Sequence, residues 1–219
     1  MAVLPLLAAC GGPFSALEPE GPSARGAATL WWIMLAGFAA IFLMVSAVLA
    51  LALWKPRTLR TFGAERTMVW GGLVIPSVIL TVLVAAALAL GERLLAVPSD
   101  PAPLRIEAIA RQWVWEFRYP DGRATSGRLV MPVGEDVDFA VTSEDVIHAF
   151  WIPRLGGKID AIPGHENVVR LRADRAGVYG GVCAEFCGDG HAPMRFSVEA
   201  VEQGDFEARL AEFGAEGQQ

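Results

Sequence analysis

A two-helix membrane hairpin followed by an all-β sandwich or Greek-key barrel is the fold class that this 219-residue sequence predicts. Two observations carry the hairpin. Residues 28–54 and 68–90 are long apolar runs without a single charge. Each reaches the roughly 20 residues that a helix needs to cross a bilayer, which uncharged core helices of soluble proteins rarely do. A third observation carries the sandwich: from residue 104 onward the pattern changes to short alternating segments separated by turn residues. The mean hydropathy of +0.41 is therefore unevenly spread, with its excess before residue 98.

Residues 1–27 are read as a signal-like segment and an external linker. Leu6-Leu7-Ala8-Ala9-Cys10-Gly11-Gly12 has small residues before a cysteine that could carry lipid, and Cys10 is the expected lipidation site. The missing Lys or Arg before it departs from an ordinary signal peptide. Residues 14–26, rich in Gly, Pro and Glu, read as an exposed linker. The hairpin occupies 28–97, with Pro76 expected to kink the second helix. Its connecting loop, 55–67, holds Lys55, Arg57, Arg60 and Arg66 against one acid, Glu65. Positive loops stay on the cytoplasmic side, so both ends of the hairpin point outward.

The external domain is expected over 98–203. Leu104, Ile106, Ala108 and Ala110 alternate with mostly polar neighbours. Strands follow at 113–119, 128–131, 137–143, 146–152, 168–173, 177–182 and 195–201, with turns at Pro120-Asp121-Gly122 and Pro163-Gly164. Residues 204–219 form a C-terminal helix and tail, in which Phe206, Leu210 and Phe213 share one stripe of a helix over 203–213. From residue 99 the chain has 12 Lys and Arg against 20 Asp and Glu, an acidic balance that repels nucleic acid.

The chemistry is concentrated in C-A-E-F-C-G-D-G-H-A-P-M, residues 183–194. Cys183, Cys187, His191 and Met194 are soft or borderline ligands that select copper or zinc over magnesium or calcium. A single-copper blue site needs one cysteine, and two thiolates can bridge two ions, so the segment reads as a dinuclear copper centre for electron transfer. Gly188, Gly190 and Pro193 place the ligands on a loop, which needs another imidazole from elsewhere. His148 lies in an apolar strand and is preferred to His165, which follows a surface turn. A Cys183–Cys187 disulfide and a structural zinc site are the bland alternatives. Neither uses both His191 and Met194 at this spacing.

These residues resemble the copper A loop of subunit II of the bacterial haem-copper cytochrome c oxidases. D-V-I-H-A-F-W-I-P-R-L-G-G-K-I-D-A-I-P-G resembles that family's segment with the first histidine ligand, and R-Q-W-V-W-E-F-R-Y-P its aromatic segment. The resemblance implies a cupredoxin-like domain and two copper ions on His148, Cys183, the backbone carbonyl of Glu185, Cys187, His191 and Met194. It further implies a magnesium ion on the Glu185 side chain, shared with subunit I. Trp113 becomes the residue through which electrons come in. Without the resemblance, Glu185 reads as a solvated acid and Trp113 as a core aromatic. Arg111 stands where the family often has His, and Gly180 where an aromatic is common.

The implied protein is a non-autonomous oxidoreductase subunit. It passes electrons from a periplasmic cytochrome c to haem in subunit I, where oxygen is reduced and protons are pumped. Subunits I and III and membrane lipid are the implied partners. The implied location is the bacterial inner membrane, multi-pass, with both termini and the copper domain periplasmic. Glu144 and Asp145, beside His148, suit a basic cytochrome c. A quinol oxidase subunit II shares hairpin and fold but typically lacks the copper ligands. A thioredoxin-like copper carrier and nitrous oxide reductase differ in anchor and domain content.

Overall fold

The computed structural model describes residues 11–54, 63–92 and 101–216. Cys10, Lys55, Arg57 and Arg60 lie outside the described residues. The chain divides into two compact units, one taking residues up to Ala28 and from Leu94 onward, the other Thr29–Arg93.

Helix α1 spans Pro22–Trp54, six residues longer at its start than the apolar run. Pro22 is well placed at a first helical turn, because its missing N–H would have had no intrahelical partner there. The second apolar run is helical from α2 (Ala64–Val69) through a π-helical turn at Trp70–Val74 into α3 (Ile75–Glu92). The Ile75 N–H donates to the Trp70 carbonyl, one residue further back than in an α-helix. Pro76 explains this turn, since its ring crowds the carbonyl four residues earlier and its nitrogen cannot donate. Both helical stretches are long and apolar enough to cross a membrane.

The β unit packs two five-stranded sheets. One contains, in spatial order, β3 (Ala124–Ser126), β2 (Val114–Arg118), β1 (Leu104–Arg111), β5 (Val137–Ser143) and β8 (Asn167–Leu171). The other contains β4 (Arg128–Pro132), β10 (Arg195–Val201), β9 (Gly177–Cys183), β6 (His148–Trp151) and β7 (Ile159–Ala161). β1 and β5 run parallel, as do β10 and β4, and the other pairs are antiparallel. The alternation works as expected in β2, where Trp115 and Phe117 point inward and Val114 and Arg118 outward. Between the sheets, Trp115, Phe117, Phe139, Phe150 and Phe196 form one ring cluster with centroids 5.1–6.4 Å apart. Such offset and edge contacts add to the area these rings bury.

Three expectations need correction. β3 and β7 are three-residue strands, too short for alternation to register. The C-terminal helix, α4, is Phe206–Glu216, three residues later than expected, because residues 202–205 form a turn in which Asp205 N–H donates to the Glu202 carbonyl. Phe206 meets Tyr119 and Leu210 is buried, while the Phe213 side chain lies outside those described. Finally, residues 11–21 are not a free linker but a strap on the β unit. Gly180 N–H donates to the Pro13 carbonyl, Glu20 N–H to Arg154, and Asp174 N–H to Glu20. The Phe14 ring lies where a Cβ on Gly180 would be, so the strap supplies the aromatic group that position 180 lacks.

Candidate metal centre

His148 opens strand β6 rather than ending a strand, and its side chain is wholly buried. Trp115 forms its floor, edge-on at 6.3 Å. Its Nε2 lies 2.9 Å from Asp145 Oδ1. A carboxylate can only accept, so Nε2 carries the proton and Nδ1 presents a lone pair. That Nδ1 is 3.7 Å from Cys183 Sγ.

Burial raises the Asp145 carboxyl, but hydrogen bonds from His148 and from the backbone N–H groups of Gln112 and Val146 outweigh it and hold it down to about 2. Asp145, expected to face a basic partner, is thus turned onto a candidate ligand. The D-x-x-H spacing was a visible signal for this contact.

Cys183 ends β9, and Cys187, His191 and Met194 follow on the loop before β10. The two sulfurs are 3.8 Å apart. Cys187 Sγ is 3.7 Å from His191 Nδ1 and 3.8 Å from Met194 Sδ. The Glu185 carbonyl oxygen is 3.3 Å from Cys183 Sγ. Burial, and then the neighbouring Cys183, push the Cys187 thiol up to about 12.

The loop is pinned by its backbone. Cys183 N–H donates to Met194, Ala184 N–H to Ala149, and His191 N–H to Gly188. Gln112 Nε2 and Trp113 Nε1 both donate to the Cys187 carbonyl, at 2.8 and 3.1 Å. Trp113 is partly exposed and its indole lies over Gly190, where a Cβ would collide with the ring. Sequence reasoning missed Gln112 and the packing of Gly190 against Trp113, because both exist only once the loop meets the 111–114 turn.

The donor set fits a metal. Ligands held at about 2.3 Å for sulfur and 2.0 Å for nitrogen, at angles between tetrahedral and trigonal, end up about 3.5–3.7 Å apart. The structure shows 3.7 Å for each sulfur–imidazole pair. His148, Cys183 and Cys187 already place their ligand atoms within 4.8 Å of one another. His165, which carries the alternative imidazole, sits in a turn that its backbone N–H closes by donating to the Ile162 carbonyl. The Glu185 carboxylate is exposed and paired with Lys158 at 3.2 Å.

Fold and donor set together define a class: a cupredoxin-like β sandwich with a thiolate–imidazole–thioether cluster, joined to two helices that can cross a membrane. Comparison with known proteins narrows it. The family profile described as cytochrome C oxidase subunit II, periplasmic domain, matches residues 122–201. Cytochrome c oxidase subunit 2 of Alkalihalophilus pseudofirmus is 35% identical over 92% of this chain and 63% of its own length. Ubiquinol oxidase subunit 2 of Acetobacter aceti is 32% identical over 93% of this chain and 70% of its own. The crystal structure of the periplasmic domain of cytochrome oxidase subunit II from Bradyrhizobium japonicum is 31% identical. It aligns with 56% of this chain and 99% of that one, at a TM-score of 0.51. The chain belongs to the cytochrome c oxidase subunit II family, and it spans 63% of the length of the Alkalihalophilus pseudofirmus relative.

Proposed function

We propose that this chain is the electron-receiving subunit of a cytochrome c oxidase and carries a dinuclear copper A centre. One observation carries the reading: two buried thiols lie side by side, and each has its own imidazole Nδ1 at 3.7 Å. A single ion would draw on one end of this chain of donors, whereas a pair of ions would draw on both imidazoles and both thiolates. Quinol oxidase relatives share the fold, and the retained ligand set favours the cytochrome c branch.

His148, Cys183, the Glu185 carbonyl, Cys187, His191 and Met194 would hold the ions. When bound, the copper pair supplies a site that takes up and releases one electron. The protein's part is to hold the donors still. Asp145 sets the His148 tautomer, the ring cluster supports that imidazole, and Gln112 and Trp113 restrain the Cys187 carbonyl. Trp113 joins the exposed surface to the loop by a direct hydrogen bond and is the proposed point of electron arrival. Glu185, once released from Lys158, would share a magnesium ion with subunit I.

The hairpin would place the 55–67 loop in the cytoplasm and both termini and the β domain in the periplasm of the bacterial inner membrane. Subunits I and III would be partners, with electrons passing on to haem for oxygen reduction coupled to proton pumping. Lipidation of Cys10 is part of the same proposal.

The test is copper stoichiometry with EPR on the purified full chain in detergent. Two coppers per chain and a delocalised mixed-valence signal are expected. One copper per chain, or a localised single-copper signal, refutes the reading.

A further inference from the structure

We propose that Phe14, on the N-terminal strap, is a positioning residue of the metal centre. It stiffens the two strands that carry Cys183 and Met194 at their ends, and through them it keeps the donor separations of the loop. The inference rests on the copper A reading above.

The strap meets these strands where β9 is weakest. β9 reaches Cys183 through Gly180 and Gly181, two consecutive residues without side chains. Glycine leaves a strand more backbone freedom and gives it nothing to pack with. Successive strand positions face opposite sides of a sheet, so this pair leaves a gap on each face. Rings from elsewhere fill both gaps. A Cβ on Gly181 would fall inside the Phe196 ring, and a Cβ on Gly180 inside the Phe14 ring. Phe196 belongs to β10 and to the ring cluster, where it lies 5.7 Å from Trp115, the floor of His148. Phe14 is the matching cover on the other face.

The strap is fastened to both strands. The Pro13 carbonyl accepts from Gly180 N–H at 3.1 Å, a short step before Cys183. The Arg195 guanidinium lies over the Phe14 ring, 5.2 Å from its centroid, and Arg195 follows Met194 directly. Cations over aromatic faces are attracted by the ring quadrupole. The two strands pair here, with Arg195 opposite Val182 and Ser197 opposite Gly180. Cys183 N–H donates to the Met194 carbonyl at 3.0 Å, so the same strands close the base of the metal loop. A second fastening reaches Tyr179. Arg154 lies over its ring at 5.5 Å and bonds Glu20 of the strap at 3.1 Å.

Phe14 thus acts through Gly180 and Arg195 rather than on any donor. Without its ring, Gly180 loses its outer cover and Arg195 its packing partner. The strand ends then gain freedom beside Cys183 and Met194, and the sulfur–sulfur separation of 3.8 Å is held less firmly.

Three full-length chains in detergent test this: wild type, Phe14→Ala, and Phe14→Ala with Gly180→Phe. The nearest atoms that a Gly180 Cβ would meet all belong to Phe14, and Gly180 has no positive φ, so the second substitution returns a ring to the same place. Copper release to a chelator should be about tenfold faster in Phe14→Ala, the scale on which groups supporting metal ligands act. The double variant should return to within about threefold of wild type, because the two substitutions are coupled. The copper hyperfine pattern in EPR should change in Phe14→Ala and recover in the double variant, which a loss of global stability alone would not produce. Alkylation of Cys183 and Cys187 by N-ethylmaleimide in the metal-free chains, read by peptide mass, should follow the same order. Phe14→Ala with native copper release, EPR and alkylation overturns the proposal, as does a double variant no better than Phe14→Ala. A wild-type chain that takes up one copper overturns the copper A reading, while the alkylation series still decides whether Phe14 positions the loop.

Discussion

Asp145→Asn tests how the buried imidazole is prepared. In the native chain Oδ1 accepts from His148 Nε2 at 2.9 Å and from Val146 N–H at 2.6 Å, while Oδ2 accepts from Gln112 N–H at 2.7 Å. An asparagine has one acceptor oxygen. Either Gln112 N–H or the His148–Val146 pair then faces an amide NH2. Hydrogen bonds to charged groups contribute about 1.5–3 kcal/mol, so losing one should cost the metal-free chain about 2 kcal/mol at pH 7. Removing the partner that orients a metal-bound histidine typically lowers metal affinity about 10–100-fold, or about 1.4–2.7 kcal/mol.

A pH signature accompanies these losses. The native carboxyl is held at about 2, below its ordinary 3.8. Its contribution is complete above that ordinary value and is lost as pH falls from 3.8 towards 2. With a side chain 31% exposed, this amounts to about 1–2 kcal/mol. The asparagine chain should lack this acid-side loss. Denaturant unfolding followed by tryptophan fluorescence, at neutral and acid pH, measures stability. Copper titration against a competing chelator measures affinity. An asparagine chain with native copper affinity and the native unfolding midpoint would refute the orienting role.

Three further outcomes follow from the same geometry. Gly190→Ala places a methyl group in the Trp113 indole, so donor oxidation should slow about tenfold with copper content unchanged, as read by stopped flow and metal analysis. Phe150→Ala removes the ring that touches Trp115, Phe117, Phe139 and Phe196, and should cost about 3–5 kcal/mol in denaturant unfolding. Burial pushes Tyr119 up to about 12, with its hydroxyl bonded to Val130. A raised value means that this stability is full below pH 10 and is lost as pH rises from 10 to 12. Tyr119→Phe should remove that alkaline loss in a pH-dependent melt, at a cost of about 1–3 kcal/mol at neutral pH for the stranded Val130 N–H.

Most of the metal loop was legible because its chemistry is local. Four candidate ligands of three types, Cys183, Cys187, His191 and Met194, fall within residues 183–194, and their spacing needs no tertiary knowledge. The longer strands were legible because alternation over five or more residues outweighs local noise. Three-residue strands such as β7 have no period to detect, although β7 pairs with His148 itself. The strap was misread because Gly, Pro and Glu resemble a linker, while its partners lie 134–167 residues away. Arg154 reaches Glu20, and Pro13 meets Gly180. The inward turn of Asp145 was half legible for a related reason: the D-x-x-H spacing allows the contact, but an acid beside a histidine reads equally as surface charge or as an orienting group, and only the fold decides.

That division between local and distant signals matches how the site is held. His148 belongs to a strand, with its ring fixed by Asp145 and Trp115. Cys183 ends β9 and Cys187 lies on the loop that follows, fixed by backbone bonds to Ala149 and Met194 and by side-chain bonds from Gln112 and Trp113. A disulfide would require the two sulfurs, now 3.8 Å apart, to close to about 2.05 Å. Any such closure pulls Cys183 or Cys187 away from its imidazole and works against those bonds. A metal needs no closure, since the donor separations already match its bond lengths. On the copper reading, restraint of the loop would favour a metal-bound state over the oxidised one, and Gln112→Ala, which removes the bond to the Cys187 carbonyl, is expected to speed disulfide formation as read by free-thiol titration.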